Sequence, residues 1–114
     1  VGNIYVADES NNRIQKFDNA GNFIILWGCF GSANANFHNP TGIACDGKGD
    51  VWVVDTNNHR VQKFTRQGKS LGCWGSHGRA VGQTHNPWAL VRDSRGRIHV
   101  LDSNNHRVQR IVGL

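Results

Sequence analysis

The stretch Asp55-Thr56-Asn57-Asn58-His59-Arg60 occurs three times in variant form. Its counterparts are Asp8-Glu9-Ser10-Asn11-Asn12-Arg13 upstream and Asp102-Ser103-Asn104-Asn105-His106-Arg107 downstream, a spacing of 47 in both cases (55 − 8 and 102 − 55). The register needs no gap and extends outward from the motif. Trp27-Gly28 matches Trp74-Gly75, His38-Asn39-Pro40 matches His85-Asn86-Pro87, Asp46 matches Asp93, and Gly2, Gly49 and Gly96 fall in line. A fixed period of this size is the mark of a repeat architecture. The 114 residues hold about two and a half units (114/47).

Between the repeated turns lie short apolar runs punctuated by Gly, Asn and Asp, and no segment has a 3.6-residue period. In the complete middle unit the runs are 41–45, 51–55, 60–64 and 70–74, here strands a, b, c and d. The turns between them are Asp46-Gly47-Lys48-Gly49, Thr56-Asn57-Asn58-His59 and Arg66-Gln67-Gly68, rich in residues that accept positive φ or bond their own backbone. Four short antiparallel strands per repeat make a propeller blade. A β-sandwich with chance repetition is the alternative, and the gapless register argues against it. The expectation is an all-β chain, a partial β-propeller of roughly ten strands in the order b-c-d, a-b-c-d, a-b-c, with almost no helix. All of 1–114 is expected to belong to one domain, with repeats at about 1–36, 37–83 and 84–114.

Val1 aligns with Lys48, and Leu114 follows strand c of the third unit. Closure needs at least about four blades, and open sheet edges invite association. The missing blades are therefore expected from a longer chain or from other copies. The absence of Met likewise points to a processed or longer protein.

The repeated acid and base of each motif, Asp8 with Arg13, Asp55 with Arg60 and Asp102 with Arg107, are expected to serve the hairpin. The carboxylate would accept turn N–H groups and meet the guanidinium across the strands. Pro40 and Pro87 are expected to hold their predecessors extended. Trp27 and Trp74 are expected to pack blade on blade. The shared position of Tyr5, Trp52 and His99 is expected to be semi-exposed. Cys45, in an apolar run, reads as a small core residue.

Residues unlike their repeat counterparts are freer to serve function. The connections from strand d to the next strand a, 28–39 and 75–86, are long and dissimilar, and such loops on a rigid scaffold carry specificity. Phe30, Phe37, His77 and Arg79 in these links, Trp88 in place of Thr41, and the turn residues His59 and His106 are the expected partner contacts.

The net charge is +5. It is uneven: residues 1–47 hold two cations against four acids, and residues 48–114 hold eleven against four. In a meander the a–b and c–d turns share one face (here the turn face), and the b–c turns and d–a links share the other (the loop face). Lys48, Arg66, Lys69, Arg95 and Arg97 are expected on the turn face, as contacts for phosphate or an acidic partner.

The three cysteines form no C-x-x-C pair, and their odd number argues against a disulfide framework and leans towards a reducing compartment. No G-x-S-x-G, P-loop or H-E-x-x-H motif is present. No enzyme activity, cofactor or metal is expected. No apolar run approaches the roughly 18 residues of a membrane span, and no targeting segment is visible in this stretch.

Residues 37–64, and again 84–111, are very similar to the NHL repeat, named for its Asn-His-Leu-like turn; residues 2–17 resemble the last part of a third copy. The resemblance implies a propeller, commonly of six blades. It also implies a choice of functions: protein- or RNA-binding ends of TRIM-type ubiquitin ligases, extracellular sensors of bacterial kinases, or a metal-dependent peptidyl-amidoglycolate lyase. In the RNA-binding members the RNA surface is the loop face, opposite most of the basic charge here. The expected function is a non-catalytic scaffold for a protein partner. Single-stranded RNA binding is the alternative, and a metal-dependent lyase-like enzyme is a third reading.

Overall fold

The computed structural model describes residues 2–112 and 114. It contains ten strands in three antiparallel sheets. The first sheet is β1 (Ile4–Asp8), β2 (Arg13–Phe17) and β3 (Phe23–Trp27). The second is β4 (Pro40–Cys45), β5 (Val51–Asp55), β6 (Arg60–Phe64) and β7 (Ser70–Trp74). The third is β8 (Ala89–Arg92), β9 (Ile98–Asp102) and β10 (Arg107–Arg110). Each is a meander of sequential neighbours, in the order b-c-d, a-b-c-d and a-b-c. Strands b, c and d of the middle unit have the expected bounds, and strand a begins one residue early, at Pro40.

The repeated motif forms the b–c hairpin. Asp55 pairs with Arg60 at its mouth, and Val53 with Gln62 two steps further in. A single 3-10 turn, Thr56–Asn58, closes it, with His59 left-handed at φ 55° and its N–H on the Thr56 carbonyl. Asn12 and His106 take the same conformation at φ 53° and 55°. Asn and His are among the non-glycine residues that tolerate this region best, which is why the repeat places them there.

The period of two along β5 explains how the sheets stack. Side chains alternate between the faces of a strand. Val51 and Val53 join Ile14, Phe37 and Phe64 in a core between the first and second sheets, with Tyr5, Trp27 and Cys45 packed against it. Trp52 points the other way, into a core with Val61, Ile98, Val100 and Ile111, backed by Trp74. All of β5 is buried because its sheet has a neighbour on each side, whereas β9 alternates buried and open. Trp52 is thus 5 % exposed and not semi-exposed as its variable position suggested. Its indole Nε1 donates to Asp46 Oδ2 at 2.8 Å, and His99 Nε2 meets Asp93 Oδ2 at 2.9 Å from the equivalent place. Trp and His interchange there because each offers a flat ring with a nitrogen that reaches the a–b turn carboxylate.

Trp27 packs across the sheets as expected, its ring 5.6 Å from that of Phe64. The turn of the second sheet can sit on this indole only because residue 68 is glycine. A Cβ there would lie 2.7 Å from the Trp27 ring, and φ is +87°.

Candidate functional site

The b–c hairpins are clamps. Asp55, fully buried, was expected to accept the N–H groups of its own turn, but its carboxylate reaches elsewhere. Oδ1 accepts the His38 backbone N–H at 2.8 Å, and Oδ2 accepts Asn58 Nδ2, Arg60 Nε and Gln62 Nε2 at 3.0, 2.7 and 3.1 Å. The His59 N–H closes the turn on the Thr56 carbonyl and the Asn57 N–H donates to the His38 carbonyl at 3.0 Å, which leaves the carboxylate for the His38 N–H of the d–a link. The held donors then grip that link. Asn58 Nδ2 donates to the Gly31 carbonyl, and Arg60 Nη2 to the Ala33 and Asn36 carbonyls, at 2.8–3.0 Å.

The third sheet repeats the arrangement. Asp102 Oδ1 accepts the His85 N–H, Asn105 holds Gly78, and Arg107 holds Ala80 and Gln83. Burial alone would push the Asp102 carboxyl up, but the bonds from His85, Asn105 and Arg107 outweigh it and hold it below the usual carboxylate range. In the first sheet Asp8 binds its own Asn11, Arg13 and Gln15. Bonds from Asn11 first, then Arg13, hold its carboxyl low.

A second fastening joins successive repeats. Asn12 Oδ1 accepts the Asn39 N–H at 2.8 Å, and His59 Nδ1 accepts the Asn86 N–H at 3.0 Å. Asn39 and Asn86 precede proline, yet they are left-handed at φ 57° and 45° and not extended. Asparagine bears that region well, and the bond to the preceding turn fixes it. His59 also stacks on His77, centroids 4.1 Å apart, with His85 tilted against both. At the earlier junction the same places hold Asn12, Phe30 and His38, with Phe30 edge-on to His38 at 4.9 Å. Burial, then the charges of His77 and His85, lower the His59 pKa, against a smaller upward pull from Asp55. Among the described residues, no group of three His, Cys, Asp or Glu side chains is arranged to hold a metal ion. His106 stands exposed at the corresponding place of the third turn.

The links are therefore fixed in place, and their outward side chains form the loop face. Phe30 is 65 % exposed, Val81 94 % and Trp88 52 %. His77 and Arg79 are exposed beside them. Trp88 is anchored through its backbone: its N–H donates to Leu101 O at 2.9 Å and its carbonyl accepts the Thr41 hydroxyl at 2.6 Å. Phe37, expected as a contact, is instead fully buried, 5.7 Å from the Phe64 ring. Its repeat counterpart Thr84 is fully buried too. Phe37 belongs to the core of the blade it opens.

On the turn face, the a–b turns of the second and third sheets abut, so that a Cβ on Gly96 would lie 3.5 Å from the Gly47 nitrogen. Beside them opens a cleft of about 490 Å³. It gathers Lys48, Arg95 and Arg97, three of the five cations expected on this face, and adds Lys63 and Arg110. Lys63 and Arg110 occupy one repeat position on strand c, and reading the turns alone missed them. The other two expected cations lie elsewhere. The Arg66 guanidinium lies over Gly49 and donates to the Lys48 carbonyl at 3.2 Å, at the junction of the first two sheets. Lys69 is exposed outside the cleft. Within it, Lys63 Nζ sits 5.1 Å from the Trp52 ring, and Arg97 Nε bonds Asp93 at 2.6 Å. Burial would raise the Asp46 carboxyl, but bonds from Trp52 and from the Lys48 and Asp50 N–H groups overcome this and keep it low.

Among the described residues, no helix is long and apolar enough to cross a membrane. Cys29 and Cys73 are exposed thiols, and Cys45 is half-buried with its pKa raised by burial.

The fold is shared with known propeller-like structures. The structure of a streptogramin B lyase superposes with a TM-score of 0.75 at 20% identity, over 96% of this chain and 33% of that one. A catalytically inactive virginiamycin B lyase from Staphylococcus aureus, crystallised with quinupristin, gives 0.74 at 19%, over 96% and 34%. An auxiliary nutrient binding protein from Bacteroides thetaiotaomicron gives 0.72 at 16%, over 93% and 33%. The chain spans about a third of the length of each, and likeness at these identities concerns the fold alone. No curated protein matches it. The NHL repeat matches residues 37–64 and 84–111, the two segments that carry the complete b–c clamps. This chain belongs to the NHL-repeat family and forms part of an NHL propeller.

Proposed function

We propose that this part of the propeller is a non-catalytic binding scaffold whose loop face receives a protein partner. One observation carries the reading: the clamped links hold exposed side chains that differ from repeat to repeat. Phe30 stands where the next repeat has His77, Arg79 where the previous one has Ser32, and Trp88 where it has Thr41. Clamping removes most of the entropy cost of ordering a loop on binding. Exposed aromatic and arginine side chains are the usual anchors of protein interfaces.

The test is affinity capture with the whole natural chain, followed by Phe30→Ala and Trp88→Ala. Loss of a captured protein in either variant, with unchanged melting, supports the loop face. Retention of every partner by the double variant removes it.

Single-stranded RNA is the second reading, favoured by exposed Phe30, His77 and Trp88 on the face that RNA-binding relatives use. Bases stack on such side chains, but most of the basic charge lies on the other face. RNA binding predicts an affinity that falls steeply with salt; binding insensitive to salt rules it out.

A further inference from the structure

We propose that His59, stacked on His77 and backed by His85, is a proton-operated latch on the link 75–86, fastening it at neutral pH and releasing it in acid. The bond that carries this runs from the Asn86 backbone N–H to His59 Nδ1 at 3.0 Å. A backbone N–H can only donate, so Nδ1 holds the lone pair and the ring proton sits on Nε2. A protonated imidazole has a hydrogen on both nitrogens. Nδ1–H then meets the Asn86 N–H, donor against donor, and the bond is lost.

The surroundings act in the same direction. The His77 ring lies 4.1 Å from that of His59, face on face, and His85 is tilted against the two at 4.8 and 5.5 Å. A charge on one of these rings disfavours a charge on the next. Asp55 faces His59 from the end of β5, but its oxygens already accept the His38 N–H, Asn58, Arg60 and Gln62. Arg60, next in the chain, is turned away to the Ala33 and Asn36 carbonyls of the other link. Beyond His85, Asp102 is occupied by the His85 N–H, Asn105 and Arg107. Burial and the two neighbouring rings outweigh the pull of Asp55 and lower the His59 pKa.

The device is confined to one junction. At the earlier one the equivalent amide, that of Asn39, donates to Asn12 Oδ1 at 2.8 Å, an acceptor that does not titrate, and Phe30 stands where His77 does. In acid the link 75–86 keeps the clamp of its own blade, in which Asn105 holds Gly78 and Arg107 holds Ala80 and Gln83. It also keeps the Thr84 hydroxyl on the His59 carbonyl. It loses the ring stack and the bond that fixes left-handed Asn86, and with them the set position of His77 on the loop face. The latch stands by itself; its use as an acid release for a protein partner rests on the loop-face reading above.

The experiment is amide hydrogen exchange of the whole natural chain at about pH 8 and about pH 5, read at the Asn39 and Asn86 amides. Both lie in the tripeptide His-Asn-Pro, so their intrinsic chemistry is matched and the ratio of their rates reports the fold. Acid is expected to raise the Asn86 rate relative to that of Asn39 by about fivefold or more, the effect of losing one hydrogen bond. In His59→Asn, with melting at about pH 8 unchanged, the ratio is expected to stay constant between the two pH values. A constant ratio in the natural chain overturns the latch, whether or not the variant folds. So does a ratio that rises equally in His59→Asn. The readout needs no partner, so failure of the protein-binding reading leaves it intact. A partner held by the loop face as tightly in acid as at neutral pH, while the Asn86 ratio rises, overturns the acid release alone.

Discussion

The Asp55 carboxylate accepts the backbone N–H of His38 at 2.8 Å, so one buried side chain joins a b–c hairpin to the link that enters its own blade. Asp55→Asn keeps the shape but leaves an amide facing three donors. The Arg60 guanidinium then loses its carboxylate partner at the centre of the clamp. Breaking one side of a buried pair costs about 3–5 kcal/mol. Denaturant titration should find a loss of that order; a loss within about 0.5 kcal/mol, the range of an ordinary surface substitution, would mean that the clamp does not hold the link.

Phe37 and Phe30 lie seven residues apart in one link and should behave oppositely. Phe37→Ala empties a fully buried site against Phe64 and Gly28, and such truncations cost about 3–5 kcal/mol. Phe30→Ala removes a mostly exposed ring and should stay within about 0.5 kcal/mol. Thermal melting of the two variants separates core from contact surface.

Gly68→Ala tests the fit of a turn on an indole. The added Cβ meets the Trp27 ring at 2.7 Å and takes an unfavourable positive φ. The combined cost should be about 1–3 kcal/mol. Gly82→Ala is the control, because it has a similar φ of +84° with nothing within 4 Å and carries the backbone cost alone. If both variants lose the same stability, the Trp27 contact is not tight.

His59 links stability to pH. Burial first, and then His77 and His85, hold its folded pKa below the ordinary value. The unfolded chain therefore takes up a proton first as pH falls. Stability should be full above about pH 6.5 and decline as pH drops through that value towards the lower folded pKa. His59→Asn should flatten this slope, because Asn12 already performs the same task with a side chain that does not titrate. Melting at about pH 5 and about pH 8 reads it; an unaltered slope in the variant would place its origin elsewhere.

The local content of the sequence was enough for the strands, the b–c turns and the family. Strand faces follow a period of two and turns follow residue chemistry, and both act over a few neighbouring positions. That is why Asn12, His59 and His106 could be read as turn residues and Trp27 as packing between blades. The links were legible only as long and variable. Their holding bonds join residues about 27 positions apart, Arg60 to Ala33 and Arg107 to Ala80, and no local pattern encodes such a pairing. The same distance hid the burial of Phe37, the left-handed Asn39 and Asn86, and the meeting of Lys48 with Arg95 and Arg110 in one cleft. By itself the sequence determined the blade, because a blade is built from contacts between neighbours. Only the tertiary structure decided which side chains the stacked blades bury, clamp or leave open, because those fates depend on the sheet packed alongside.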